Sequence, residues 1–287
     1  MQIREYSLPP GWYPRESEEV SRFLADFRQK GPFSRAAVAP HAGWYYSGRL
    51  AARAASCLQP EAETVIVIGG HLSDSPPLFA MEDAVKTPFG PMPIDDELRG
   101  VLLKTLGGKE DRYRDNTVEV LLPMVRFFFP QARLLWLRLG AQNSSFEKGR
   151  IISREAAKLN RKVNVLASTD LTHYGVNYGF MPQGTGKAAL RWVREVNDAA
   201  FIKAVEAGKS DEVLRRAEQD YSACSAGAVL GAMGFAQEEG LGGARLLEHA
   251  TSADPQPSPK GEGSPLDLRD EDEIPDSFVG YAAMVFG

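Results

Sequence analysis

The chain has 287 residues, 43% hydrophobic and 25% charged, with a formal charge of -5. That length suits one large domain or two small ones, with a core that needs no covalent staples. The acidic balance (pI near 5.6), with no basic cluster interleaved with aromatics, speaks against nucleic acid as a partner. The two cysteines, Cys57 and Cys224, make no disulfide framework, so a reducing cytoplasm is expected. The N-terminal stretch is polar and proline-bearing, without an apolar signal region, and no run nears the roughly 20 apolar residues of a membrane span.

In chain order, "RAAVAP" (35–40) reads as a strand leading into a helix over 47–58. "TVIVIGG" (64–70) is β-branched and uninterrupted, the pattern of a strand buried on both faces. A helix is predicted over 93–106, with acidic residues near its start; 117–129, with an internal proline, reads as a helix in preference to a strand. "ARLLWLRLG" (132–140) is a strand, 145–160 a helix and "KVNVLAS" (162–168) a further buried strand. Helices follow at 185–207, 210–219 and 222–237, then strand-like segments at 244–252 and 277–287. Strands alternating with helices predict a mostly parallel central sheet covered by helices on both faces, as one domain over 1–287. Residues 253–276, rich in Pro, Gly, Ser and acid, read as a flexible surface loop.

Ligands of such sheets sit at the carboxyl ends of the strands, and three of the four histidines fall there. His41 follows "AAVAP", His71 follows "VIVIGG" and His173 follows "VLASTDLT". Each alone could be a hydrogen-bonded loop residue; together they point to metal ligation or acid–base work. The fourth, His249, lies inside a strand-like segment and reads as a packed or surface residue. Cys224 opens a helix rich in small residues, so its thiol lies at the positive end of the helix dipole. A thiolate with two neutral imidazoles makes a plausible facial site for Fe, Zn or Cu. Glu119 and Asp170 are candidates to orient a histidine. Trp44, Tyr45 and Tyr46 follow His41 too closely for a helix stripe, and at least one is expected to wall a pocket.

"PHAGWYYSG" resembles the P-H-A-G-Y-x-Y-S-G signature of the MEMO family, also called AmmeMemoRadiSam system protein B. "VIGGHLSD", "STDLTHYG", "YSACSAGAVLGAM" and "SFVGYAAMVF" are similar, in that order along the chain, to further segments of that family. The resemblance implies the LigB-like fold of class III extradiol dioxygenases, which cleave catechol rings with non-haem Fe(II). It implies His41, His71 and Cys224 as metal ligands, His173 as acid–base residue, Asp170 as its orienting partner and Tyr46 as a substrate contact. Trp44, Asn116 and Glu119 would line the pocket. One departure stands out: the family commonly has E-H-S-x-E where this chain has "DNTVE" (115–119), so Asn116 replaces a histidine.

The implied activity is extradiol oxygenation of a catechol-like small molecule with Fe(II). Two alternatives stay open: a non-enzymatic metal- or (phospho)peptide-binding protein using the same cleft, and a hydrolase using Zn. Self-association into a homo-oligomer is also open, and family association alone implies AMMECR1-type or radical-SAM partners.

Overall fold

The computed structural model describes residues 1–254 and 274–287, so most of the predicted loop at 253–276 lies outside the described residues. Four strands form a parallel centre in the order Ala36–Ala39, Val163–Ser168, Thr64–Gly69 and Arg133–Arg138. Outside that centre the sheet is mixed, with Leu78–Phe79 pairing parallel with Lys109–Glu110 at one edge. Leu78–Phe79 runs antiparallel beside Arg133–Arg138, and the long C-terminal strand Ser277–Phe286 runs antiparallel beside Ala36–Ala39. That last strand also pairs antiparallel with Ala244–Thr251 and His173–Gly175. Mixed edges allow adjacent strands without a helical crossover.

Both faces of the central strands are buried, and alternation divides their side chains between two cores. Ile66, Ile68, Leu135 and Leu137 pack with Leu98, Ile152, Val229 and Phe235 from helices on one face. Val65, Val67, Leu134 and Trp136 pack with Leu50, Ala54, Met124 and Val125 from helices on the other. Among the described residues, no helix is long and apolar enough to cross a membrane.

Several predicted boundaries move, each for a local reason. The helix after His41 starts at Trp44 rather than Ser47, so the three aromatics occupy its first turn. The helix expected over 117–129 is two, Asn116–Glu119 and Leu122–Phe128, with Pro123 in the first turn of the second. A proline there loses no hydrogen bond. The segment 185–207 is continuous but passes through a π-helical stretch at Val193–Asp198. The helix predicted from 222 begins at Ala226, so Cys224 lies just ahead of its N-cap, Ser225, and not within its first turn.

Candidate metal centre

His41 stands two residues past the carboxyl end of Ala36–Ala39, just after Pro40, and is 1% exposed. Its backbone N–H donates to Asp170 Oδ1 at 2.7 Å. Its Nδ1 lies 2.7 Å from Ser168 Oγ, at the end of the neighbouring strand. Asn116 Nδ2 donates to the His41 carbonyl at 2.7 Å. With the main chain and Nδ1 held, Nε2 faces Cys224 Sγ at 3.2 Å.

His71 takes a left-handed conformation (φ 56°) just beyond Thr64–Gly69. Histidine tolerates this region better than most residues. The role of "GG" before it is close packing: a Cβ on Gly70 would sit 2.4 Å from the side chain of Ser225. On the other side, a Cβ on Gly227 would lie 2.1 Å from the Gly140 carbonyl oxygen. These contacts seat the start of the helix Ala226–Glu238 against the strand ends, and with it Cys224. The thiol accepts the Asp170 N–H at 3.3 Å.

One donor atom from each of His41, His71 and Cys224 lies within 4.8 Å of the others. Three donors on one ion, with bonds of about 2.0–2.3 Å and tetrahedral angles, stand about 3.3–3.8 Å apart. The spacing therefore admits a metal after small side-chain adjustments, and the donor types suit Fe, Zn or Cu. The electrostatics agree. Burial opposes ionisation of Cys224, but His41 and His71 outweigh it and hold the thiol well below its ordinary range. Burial would depress His41, yet the Cys224 thiolate and the Asp170 carboxylate raise it. His71 is likewise raised, to about 10, by Asp115 and Cys224 against the effect of its burial.

Beside this cluster opens a cleft of about 730 Å³ lined by Tyr46, Asn116, Asp170, His173 and Tyr178, among others. His173 opens the short strand His173–Gly175, and its ring meets Tyr178 edge-on at 4.9 Å. Its Nδ1 donates to the Leu171 carbonyl at 3.1 Å, since a carbonyl oxygen can only accept, and Nε2 is left clear of that bond. Burial raises the Asp170 carboxyl, with His41 pulling it down.

The model of the family described as "Memo-like protein" matches residues 4–260. The chain belongs to that family. A "MEMO1 family protein" of Pyrobaculum arsenaticum is 26% identical, with 100% of this chain and 99% of the relative aligned. One of Methanococcoides burtonii is 31% identical over 87% of this chain and 85% of its own. A solved structure, the uncharacterized protein JW3007 from Escherichia coli K12, covers 85% of this chain and 98% of its own at 11% identity. Its TM-score of 0.43 is too low to inform the site.

In this Memo-like protein three of the expected roles fall elsewhere. Asp170 forms no hydrogen bond with His173; its carboxylate holds the His41 backbone, with Oδ2 3.9 Å from His41 Nε2. Trp44 does not wall the cleft. It is buried against Phe23 and Tyr13 and donates to the Val120 carbonyl at 2.9 Å. Tyr46, 49% exposed on the same first turn of that helix, does reach the cleft.

Glu119 orients no histidine and does not line the cleft. From the short helix Asn116–Glu119 it points to the N-terminal arm, accepting the N–H of Ser7 at 2.7 Å and the hydroxyl of Tyr13 at 2.8 Å. Glu119→Ala would strand these donors in a buried place. A loss of about 2–4 kcal/mol in stability is expected by thermal or denaturant unfolding, with metal affinity nearly unchanged. A specific loss of metal binding would return Glu119 to the site.

Two residues at the centre went unnoticed in the sequence, Asp115 and Arg138. Arg138 carries a legible signal, a lone charge inside the apolar run "LLWLRLG". A buried charge requires a partner, here Asp111 and Asp115.

Proposed function

We propose that this Memo-like protein binds one Fe(II) through His41, His71 and Cys224 and oxygenates a catechol-like small molecule in the adjoining cleft. The observation that carries this reading is the meeting of a three-donor cluster with a cleft containing a histidine whose free Nε2 can act as a base. When bound, Fe(II) supplies the redox chemistry between the aromatic diol and dioxygen. The chain's own residues do the rest. His173 Nε2 takes a hydroxyl proton and returns it during ring opening. Tyr46 offers a phenolic hydrogen bond at the rim, and Asn116 and Asp170 keep His41 in register.

The test is anaerobic loading with Fe(II), followed by oxygen and a panel of catechols. A yellow ring-opened product from at least one catechol is expected, and His173→Ala should abolish it while iron content stays normal. No product from any catechol, with iron verified in the protein, would overturn the oxygenase reading.

The thiolate favours a second reading, since soft sulfur ligands select Zn or Cu. A zinc centre would support hydrolysis or a purely binding role. Metal analysis of protein purified without chelator or added metal separates the two: stoichiometric zinc without iron would displace the iron proposal.

A further inference from the structure

His71 is the least constrained of the three proposed ligands. Its ring is about one-third exposed, its backbone is left-handed, and its own N–H reaches Ser225 Oγ at only 3.3 Å. The His41 ring meets it edge-on at 4.9 Å. On its other side stands a carboxylate, Asp115 Oδ2, 3.7 Å from His71 Nδ1.

That carboxylate is itself firmly held. Asp115 Oδ1 accepts the N–H and the hydroxyl of Thr117, both at 2.9 Å. Arg138 Nη1 lies 2.6 Å from both Asp115 oxygens. Arg138 is 0% exposed at the end of its strand, with Nε 2.6 Å from Asp111 Oδ2. Asp111 is fixed in turn by Trp136 Nε1 at 2.6 Å. Oδ1 of Asp115 is thus committed to the loop, while Oδ2 is presented to His71.

We infer that Asp115, pinned by the buried Arg138, is the positioning residue that aims His71 at the metal. A carboxylate facing Nδ1 keeps the proton on that nitrogen and leaves the Nε2 lone pair free for an ion. It also limits the ring's rotation. Asp115 touches neither the ion nor the substrate, so its effect passes wholly through His71. This inference rests on the metal-binding reading above.

The test is Zn²⁺ affinity, measured by competition with a chromogenic chelator on the full chain. Asp115→Asn keeps the shape and removes the charge; binding should weaken about 10–100-fold. Asp111→Asn also strips a carboxylate from Arg138 but does not face His71, so its affinity should stay within about threefold of wild type. In a His71→Ala background, Asp115→Asn should change affinity by no more than about threefold, because the residue it acts through is gone. An equal loss in Asp111→Asn, or an undiminished loss in the His71→Ala background, would reduce Asp115 to a structural role and overturn the inference. Wild type that binds Zn²⁺ while Asp115→Asn matches it overturns this inference alone. Wild type that binds none overturns the metal site as well. Should Asp115→Asn fail to fold, Asp115→Glu keeps Arg138 paired and shifts the carboxylate by one methylene. A loss of about tenfold is then expected, and affinity within about threefold of wild type overturns the inference.

Discussion

Replacing Cys224 with serine is expected to weaken metal binding by about 100-fold or more, beyond what supporting residues usually contribute. Serine keeps an acceptor for the Asp170 N–H that the sulfur now takes at 3.3 Å. The metal-free fold should therefore change by no more than about 1 kcal/mol. What serine loses is the anion. His41 and His71 hold the thiol well below its ordinary range, and a hydroxyl beside the same imidazoles stays protonated. With Co²⁺ as probe, the sulfur-to-metal charge-transfer absorption should vanish along with the affinity. Unchanged affinity, or a persisting sulfur band, would remove Cys224 from the ligand set. His41→Ala should abolish binding too, but with a stability loss of about 2–4 kcal/mol, because a fully buried, hydrogen-bonded ring is deleted.

Gly227→Ala is expected to damage fold and site together. An alanine Cβ would lie 2.1 Å from the Gly140 carbonyl oxygen and 2.4 Å from that of Leu139, and neither is a side chain that can rotate away. The helix Ala226–Glu238 must move outward, at a cost of about 1–3 kcal/mol or more. A fall in Tm of roughly 2–5 °C follows for a chain of this size. Cys224 precedes that helix by two residues and must move with it, so metal affinity should drop alongside Tm. Gly100 is the matched control: it lies inside the helix Asp96–Leu106, and its Cβ position is open. Gly100→Ala should raise stability by about 0.5–1 kcal/mol and leave metal binding alone. If both alanines behave alike, close approach is not what seats Cys224.

The α/β architecture was legible because its central strands are buried on both faces, leaving continuous apolar runs such as "TVIVIGG" (64–70). Edge strands of two or three residues, such as Leu78–Phe79 and His173–Gly175, carry too little pattern to read. The longer strands at 244–251 and 277–286 were readable, but their antiparallel direction comes from pairing that no local pattern encodes. The start of the helix at Trp44 was hidden for another reason. No side chain caps it; the Trp44 N–H goes instead to the Trp12 carbonyl at 2.8 Å, a partner far along the chain.

Sequence alone determined that His41 and His71 follow buried strands and that Cys224 precedes a helix of small residues. In a parallel sheet, strand ends converge on one edge, so those three could be expected to meet. The tertiary structure alone decided which neighbours serve them. Glu119 and Asp115 are four residues apart, yet one anchors the N-terminal arm and the other faces His71. Asp115 caps and Glu119 ends the same short helix, Asn116–Glu119, and only the packing of distant segments (Ser7 and Tyr13 against Glu119, Arg138 against Asp115) tells them apart. A carboxylate's role is set by the charge and donors that reach it, and these come from strands and arms whose proximity no local pattern encodes.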